Sequence, residues 1–161
     1  MNSPAEAIAH SLANSRMMLH RFTDDLTPAE YLHRATPKAN CVAWLIGHIA
    51  LADRRMLELL GVEPPKLPEG FAKQFSRDEG CPQAGEFGEV SRLLPIFDQH
   101  RDLLIGAVTK ATPAQLDKPT ERVMPVFKNV GECINFMALH TAMHAGQITL
   151  IRRSLGKPPI V

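Results

Sequence analysis

Apolar residues recur at steps of three and four along four long stretches of this 161-residue chain. In the first stretch, Ile8, Leu12, Ser15, Leu19 and Phe22 mark one face, which predicts an amphipathic helix ending near residue 23. Ser3-Pro4 supplies a cap followed by Pro at the first helical position. In the second, Val42, Leu45, Ile49, Ala52, Met56 and Leu59 keep bundle-seam spacing, which predicts a helix over Cys41–Leu60 capped by Asn40 and closed by Gly61. In the third, Leu93, Phe97, His100, Leu104 and Val108 share a face, and Pro95 fits only in the first turn or at a bend.

The fourth stretch, Asn129–Gly156, carries the fullest set of signals. Ile134, Met137, Thr141, His144, Ile148, Ile151 and Leu155 form one seam. Asn129 is placed to cap the first turn, with Glu132 three residues on to reach back in a capping box. Gly156 can close the helix in a left-handed conformation, and Pro158-Pro159 prevent its continuation. Arg152 and Arg153 stand in the last turn, where the helix dipole favours positive charge. Arg152–Arg153 and Arg54–Arg55 are otherwise read as solvated helix faces.

Thr27-Pro28-Ala29-Glu30 and Thr112-Pro113-Ala114-Gln115 each follow a long helix and each start a short turn by the same capping logic. Periodicity disappears over Gly61–Gly88, which holds four prolines and five glycines. A connection that long in a small domain is usually functional, and it is expected to cover one end of the helices. A second, polar connection spans Asp117–Lys128. No alternation typical of strands competes. The expected fold is all-α: one domain over residues 1–161, a four-helix bundle with a long irregular loop between the second and third long helices.

Composition narrows the function classes. Hydrophobic residues make up 45% and charged residues 22% of the chain, with a formal net charge of +1, which recommends neither a nucleic acid nor an anionic membrane as partner. The N-terminus lacks a secretory pattern, and the longest apolar run, Cys41–Ala52, is too short to span a bilayer. Cys41, Cys81 and Cys133 form no C-x-x-C pair and leave an odd cysteine over, which points to a reducing cytoplasm. Cys41 and Cys133 are read as small core residues.

The candidate chemistry is in the histidines. His140 and His144 lie one turn apart on the fourth helix, so two imidazoles can reach one metal ion from one face. By spacing alone, a core or surface pair that merely hydrogen-bonds is an equal reading, since an H-x-x-x-H arises in roughly a quarter of shuffled chains with seven histidines. Gln147 falls on the neighbouring face. Thr141 stands where a zinc protease would place its general base, and no Asp or Glu adjoins the pair in that role. Trp44 and His48 lie one turn apart at the edge of the second seam. His100 is read as a core histidine bonded to a neighbour, outside any ligand set.

Together, Trp44-Leu-Ile-Gly47-His48 and His140-x-x-x-His144-x-Gly146-Gln147-Ile148-x-x-x-Arg152-Arg153-x-x-Gly156 resemble the DinB-like (DinB/YfiT-like) superfamily of metal-dependent four-helix-bundle proteins, over nearly the whole chain. The resemblance implies a divalent metal held by His48, His140 and His144 with positions left open for substrate. Zinc or nickel is the first expectation for that ion, and iron or copper the next. It implies a small-molecule substrate, foremost a low-molecular-weight thiol such as bacillithiol or mycothiol used in a transferase reaction, and a homodimer. The alternatives are a metal-dependent hydrolase and a non-catalytic metal-binding or stress-response helical dimer.

Overall fold

Ser3 starts the first helix, α1 (Pro4–Thr23), by the reciprocal pair its sequence predicts. Its hydroxyl accepts from the Glu6 N–H at 3.2 Å, and the Glu6 carboxylate accepts from the Ser3 N–H at 2.7 Å. Thr27 opens the short α2 (Pro28–Tyr31) in the same way. The cap of α3 (Val42–Leu59) is Cys41 rather than Asn40, and it makes no side-chain capping bond. Burial holds that helix start instead, because every residue from Cys41 to Gly47 is buried. After the small α4 (Phe71–Gln74), α5 (Leu93–Thr109) takes Pro95 into its first turn, where a missing N–H costs nothing. Thr112 then caps α6 (Pro113–Leu116).

The last helix, α7 (Val130–Ser154), is capped by Asn129, whose side chain accepts from the Glu132 N–H at 2.9 Å. Glu132 reaches back one residue further than a capping box requires, to the Lys128 N–H at 2.8 Å. Gly156 follows with φ 75°, the left-handed close that glycine permits. The computed structural model describes residues 3–120 and 126–160, so the expected Asp117–Lys128 connection lies partly outside the described residues. Among the described residues there is no strand, only an isolated bridge between Pro119 and Asn129. No helix of the described residues is long and apolar enough to cross a membrane.

The four long helices close a ring in which α1 packs on α5 and α7, and α3 packs on the same two. Their seams are the inward faces: Ile8, Leu12, Ser15, Leu19 and Phe22 of α1 are buried, as are Phe97, His100, Leu104 and Val108 of α5. On α7, Ile134, Met137, Thr141, His144, Ile148 and Ile151 are buried too. Between Gly61 and Leu93 the chain has only α4 and two 3₁₀ turns, Ala84–Glu86 and Val90–Arg92. It is nevertheless anchored, since Phe71, Phe75 and Phe87 all enter the core cluster that contains Trp44 and Leu45. Arg152 differs from the expected solvated residue. It is buried, donating to the Phe22 carbonyl at 3.1 Å and to both carboxylate oxygens of Asp25, so it ties the end of α7 to the end of α1.

One buried cation joins all four long helices. Arg101 of α5 donates from Nε and Nη2 to the two carboxylate oxygens of Asp53 on α3, at 2.7 and 3.0 Å. Nη2 also reaches the Thr141 hydroxyl of α7 at 2.9 Å, and Nη1 reaches the Leu12 carbonyl and Ser15 hydroxyl of α1 at 3.2 and 2.8 Å. These five bonds engage every N–H the guanidinium has. Burial pushes the Asp53 carboxyl up, and the forked guanidinium opposes it. Removing one partner strands the other charge. Arg101→Met is therefore expected to lose about 3–5 kcal/mol of unfolding free energy in urea, with the Asp53→Leu/Arg101→Met double variant recovering much of it. A single variant as stable as the native chain would refute this role.

Candidate metal centre

α3 delivers His48 and α7 delivers His140 and His144 to a common point. One ring nitrogen from each lies within 4.8 Å of the other two, and no Cys, Asp or Glu joins the cluster among the described residues. The rings meet edge to face: His48 stands 5.2 Å from His140 and 5.3 Å from His144 between centroids, and His140 stands 4.5 Å from His144. The sequence-expected trio is thus brought together. His100 stays apart, buried on α5 with Nδ1 bonded to the Ile96 carbonyl at 2.8 Å.

Neighbouring groups fix which nitrogen each ring presents. The Phe75 carbonyl can only accept, so the His48 Nδ1 that it meets at 3.0 Å carries the proton, and His48 Nε2 is left bare. Gln147 Oε1 does the same for His144 Nδ1 at 2.8 Å. His144 Nε2 then takes a hydrogen bond from His140 Nε2 at 2.9 Å, which leaves His140 Nδ1 buried without a partner among the described residues. Trp44 stacks on His48 with centroids 4.6 Å apart and planes 8° apart, and Phe136 lies flat beside His140.

Gly47 explains how Phe75 comes so close. A Cβ at this position would fall 2.3 Å from the Phe75 ring, so only glycine lets the ring lie against α3. The close approach brings the Phe75 carbonyl over the next residue, His48. Sequence reasoning found the three histidines and Gly47. It did not find Phe75 or the Asp53–Arg101 pair, for which the chain carries no local signal. Gln147 was findable as the residue three after His144 on one helix.

Burial keeps the trio neutral. Desolvation pushes His140 down to about 3, and the Arg101 charge and any protonation of His144 or His48 act in the same direction. Desolvation also lowers His48 and His144, against the raising effect of their bonds to Phe75 and Gln147. Three neutral imidazoles with ring nitrogens this close could hold a metal ion once the His140–His144 hydrogen bond is given up.

A model of the DinB superfamily matches residues 11–148 of the chain. No curated protein matches it.

Two outcomes are expected. Gly47→Ala replaces a poor helix former by the best one, a change worth about 1 kcal/mol in an ordinary helix. Here it should lower the melting temperature instead, because Phe75 must move; a rise would show that the contact is dispensable. In the metal-free protein, His140 is neutral when folded down to about pH 3, whereas its unfolded ring takes a proton near 6.5. Stability should therefore be intact above about pH 6.5 and fall as pH drops from there, by up to about 1.4 kcal/mol per pH unit for this one group. Denaturant titrations from pH 7 to 4 in chelator should show a shallower decline for His140→Gln; equal slopes would reject the assignment.

Proposed function

The chain belongs to the DinB superfamily, and on that premise we propose that His48, His140 and His144 hold one divalent metal ion, zinc or nickel foremost, in a site that takes a low-molecular-weight thiol as substrate. The observation that carries the reading is the convergence of three imidazole nitrogens within 4.8 Å; in two of the rings the opposite nitrogen donates to the Phe75 carbonyl or to Gln147 Oε1 and so aims the ring. Metal-ligating histidines are commonly oriented in this way. Three protein nitrogens, with no fourth ligand among the described residues, leave coordination positions open, the pattern of catalytic rather than structural sites. His48 and His140 are only half-buried, which gives a small molecule access.

An ion held there supplies Lewis acidity that lowers the pKa of a substrate thiol. A thiol suits this site better than water. Its pKa of about 8.5 needs only a modest fall to give a nucleophile at neutral pH, whereas water, at about 15.7, needs a much larger one. No carboxylate stands in the cluster to assist as general base, among the described residues. That favours a thiol S-transferase over a hydrolase. Trp44, stacked on His48, and Phe75, whose carbonyl accepts from its Nδ1, restrict how that ring can turn.

In this reading the protein is a single four-helix-bundle domain working as a cytoplasmic homodimer. Leu139, Met143 and Leu150, exposed along α7, supply an apolar face for a second copy.

Metal content of the untagged protein, read by mass spectrometry, tests the site. Near one ion per chain is expected in the native protein and in His100→Ala, with His48→Ala, His140→Ala and His144→Ala each losing most of it. Native protein that takes up no metal after reconstitution with zinc or nickel ends the proposal. If metal binds, accelerated consumption of an electrophile by a small thiol, lost in the same three variants, distinguishes a transferase from a metal-binding module.

A further inference from the structure

Cys41 and Cys81 are forty residues apart in the chain, yet their sulfur atoms lie 3.7 Å from each other. Cys41 is the fully buried cap residue of α3, and Cys81 is half-buried in the segment between α4 and α5. Arg34 holds the two backbones around the sulfurs. Its guanidinium donates to the Ala39 carbonyl at 3.2 Å, to the Cys81 carbonyl at 3.0 Å and to the Pro82 carbonyl. The third cysteine is differently placed: Cys133 is buried on α7 with Thr120 as its partner.

The two thiols are also chemically unlike. A hydrogen bond from the Cys41 thiol, the Cys41 backbone N–H and the Arg34 charge pull Cys81 down to about 6, against the effect of burial. The bond to Cys81 and burial push Cys41 well above the usual thiol range. Of the two, the half-buried Cys81, beside the Arg34 charge, is the one whose surroundings favour the thiolate, and the fully buried Cys41 is the one they disfavour. A nucleophilic thiolate beside a resolving thiol is the arrangement that dithiol exchange requires.

We propose that Cys41 and Cys81 form a reversible redox site, in which exchange with a low-molecular-weight disulfide closes them into a disulfide that locks the 61–92 segment onto the start of α3. The Cys81 thiolate attacks one sulfur of the small disulfide, breaking its S–S bond and releasing one small thiolate. The Cys41 sulfur then attacks Cys81 and displaces the second small thiolate, which takes the Cys41 proton. Two protein thiols are oxidised and one small disulfide is reduced to two small thiols. Closure requires the sulfurs to approach from 3.7 Å to the bonded distance of about 2.05 Å. The locked segment is the one that contains Phe75, whose carbonyl sets the His48 ring. The site stands whether or not the histidines hold metal.

The test equilibrates the full-length protein in glutathione buffers of graded reduced-to-oxidised ratio, blocks free thiols by alkylation and maps a non-reduced digest by mass spectrometry. A Cys41–Cys81 linked peptide, lacking two hydrogens relative to the separate thiol peptides, should appear as the buffer becomes oxidising and vanish with dithiothreitol. Cys133→Ser should leave it unchanged. Cys81→Ser, made on the half-buried side so that the core stays filled, should abolish it and leave Cys41 as a free thiol. Native protein in which both cysteines stay alkylated across the series would overturn the proposal. So would a stable Cys81–glutathione adduct with no link to Cys41.

Discussion

Arg101 is the fixed point of this molecule. A guanidinium out of water is tolerated only when each of its donors is matched, and here the matches come from all four long helices at once. No single helix could rotate or slide by a turn without leaving a charged or polar group unpaired in the core. Apolar seams can be repacked with modest loss, but a five-donor fork accepts one arrangement. The register of α7 against α3 follows from it, because Thr141 receives one of the five bonds and His140 and His144 flank Thr141 in the same helix. The imidazole cluster is thus set by a charge pair placed deeper in the core. That charge in turn helps to keep His140 neutral.

A second constraint acts from the loop side. Gly47, Phe75 and His48 form a short causal chain: a missing Cβ admits a ring, the ring brings its carbonyl, and the carbonyl selects the imidazole tautomer. A glycine inside a helix lowers intrinsic helix stability. Here the loss is offset by the buried ring and the oriented histidine. The segment between α3 and α5 is accordingly a wall with fixed points, with three phenylalanines in the core and Arg34 gripping its far end. Both kinds of sulfur and nitrogen chemistry in the molecule touch that one segment, at Cys81 and at Phe75.

Much of this was legible in the chain because helices are local objects. The three-and-four spacing fixed which face of each long helix turns inward, and the Ser-Pro, Thr-Pro and Asn signals placed four of the helix starts. The pairing of His140 with His144, and the position of Gln147 beside them, follow from the pitch of one helix. The addition of His48 did not follow from periodicity; it rested on the resemblance carried by Trp44, Gly47 and His48 together with the α7 motif. Where local signals competed, they erred by small steps. Asn40 is the better capping residue, yet the apolar run beginning at Cys41 fixes the helix start one residue later.

The pairings between distant residues were settled by the tertiary structure alone. Periodicity says that a side chain faces the core; it does not say what that side chain meets there. Asp53 and Arg101 are 48 residues apart, His48 and Phe75 27, and Cys41 and Cys81 40. Arg152 looks in sequence like a solvated last-turn cation, and its burial depends on Asp25 arriving from the end of α1. Hydrogen bonds and ion pairs between elements leave no trace in the spacing of either element, because their geometry exists only once the helices have packed. The sequence by itself determined the four long helices, their inward faces and the one-turn histidine pair, but not α4 within the Gly61–Gly88 connection. Packing decided which polar groups complete the core and how the three imidazoles are aimed.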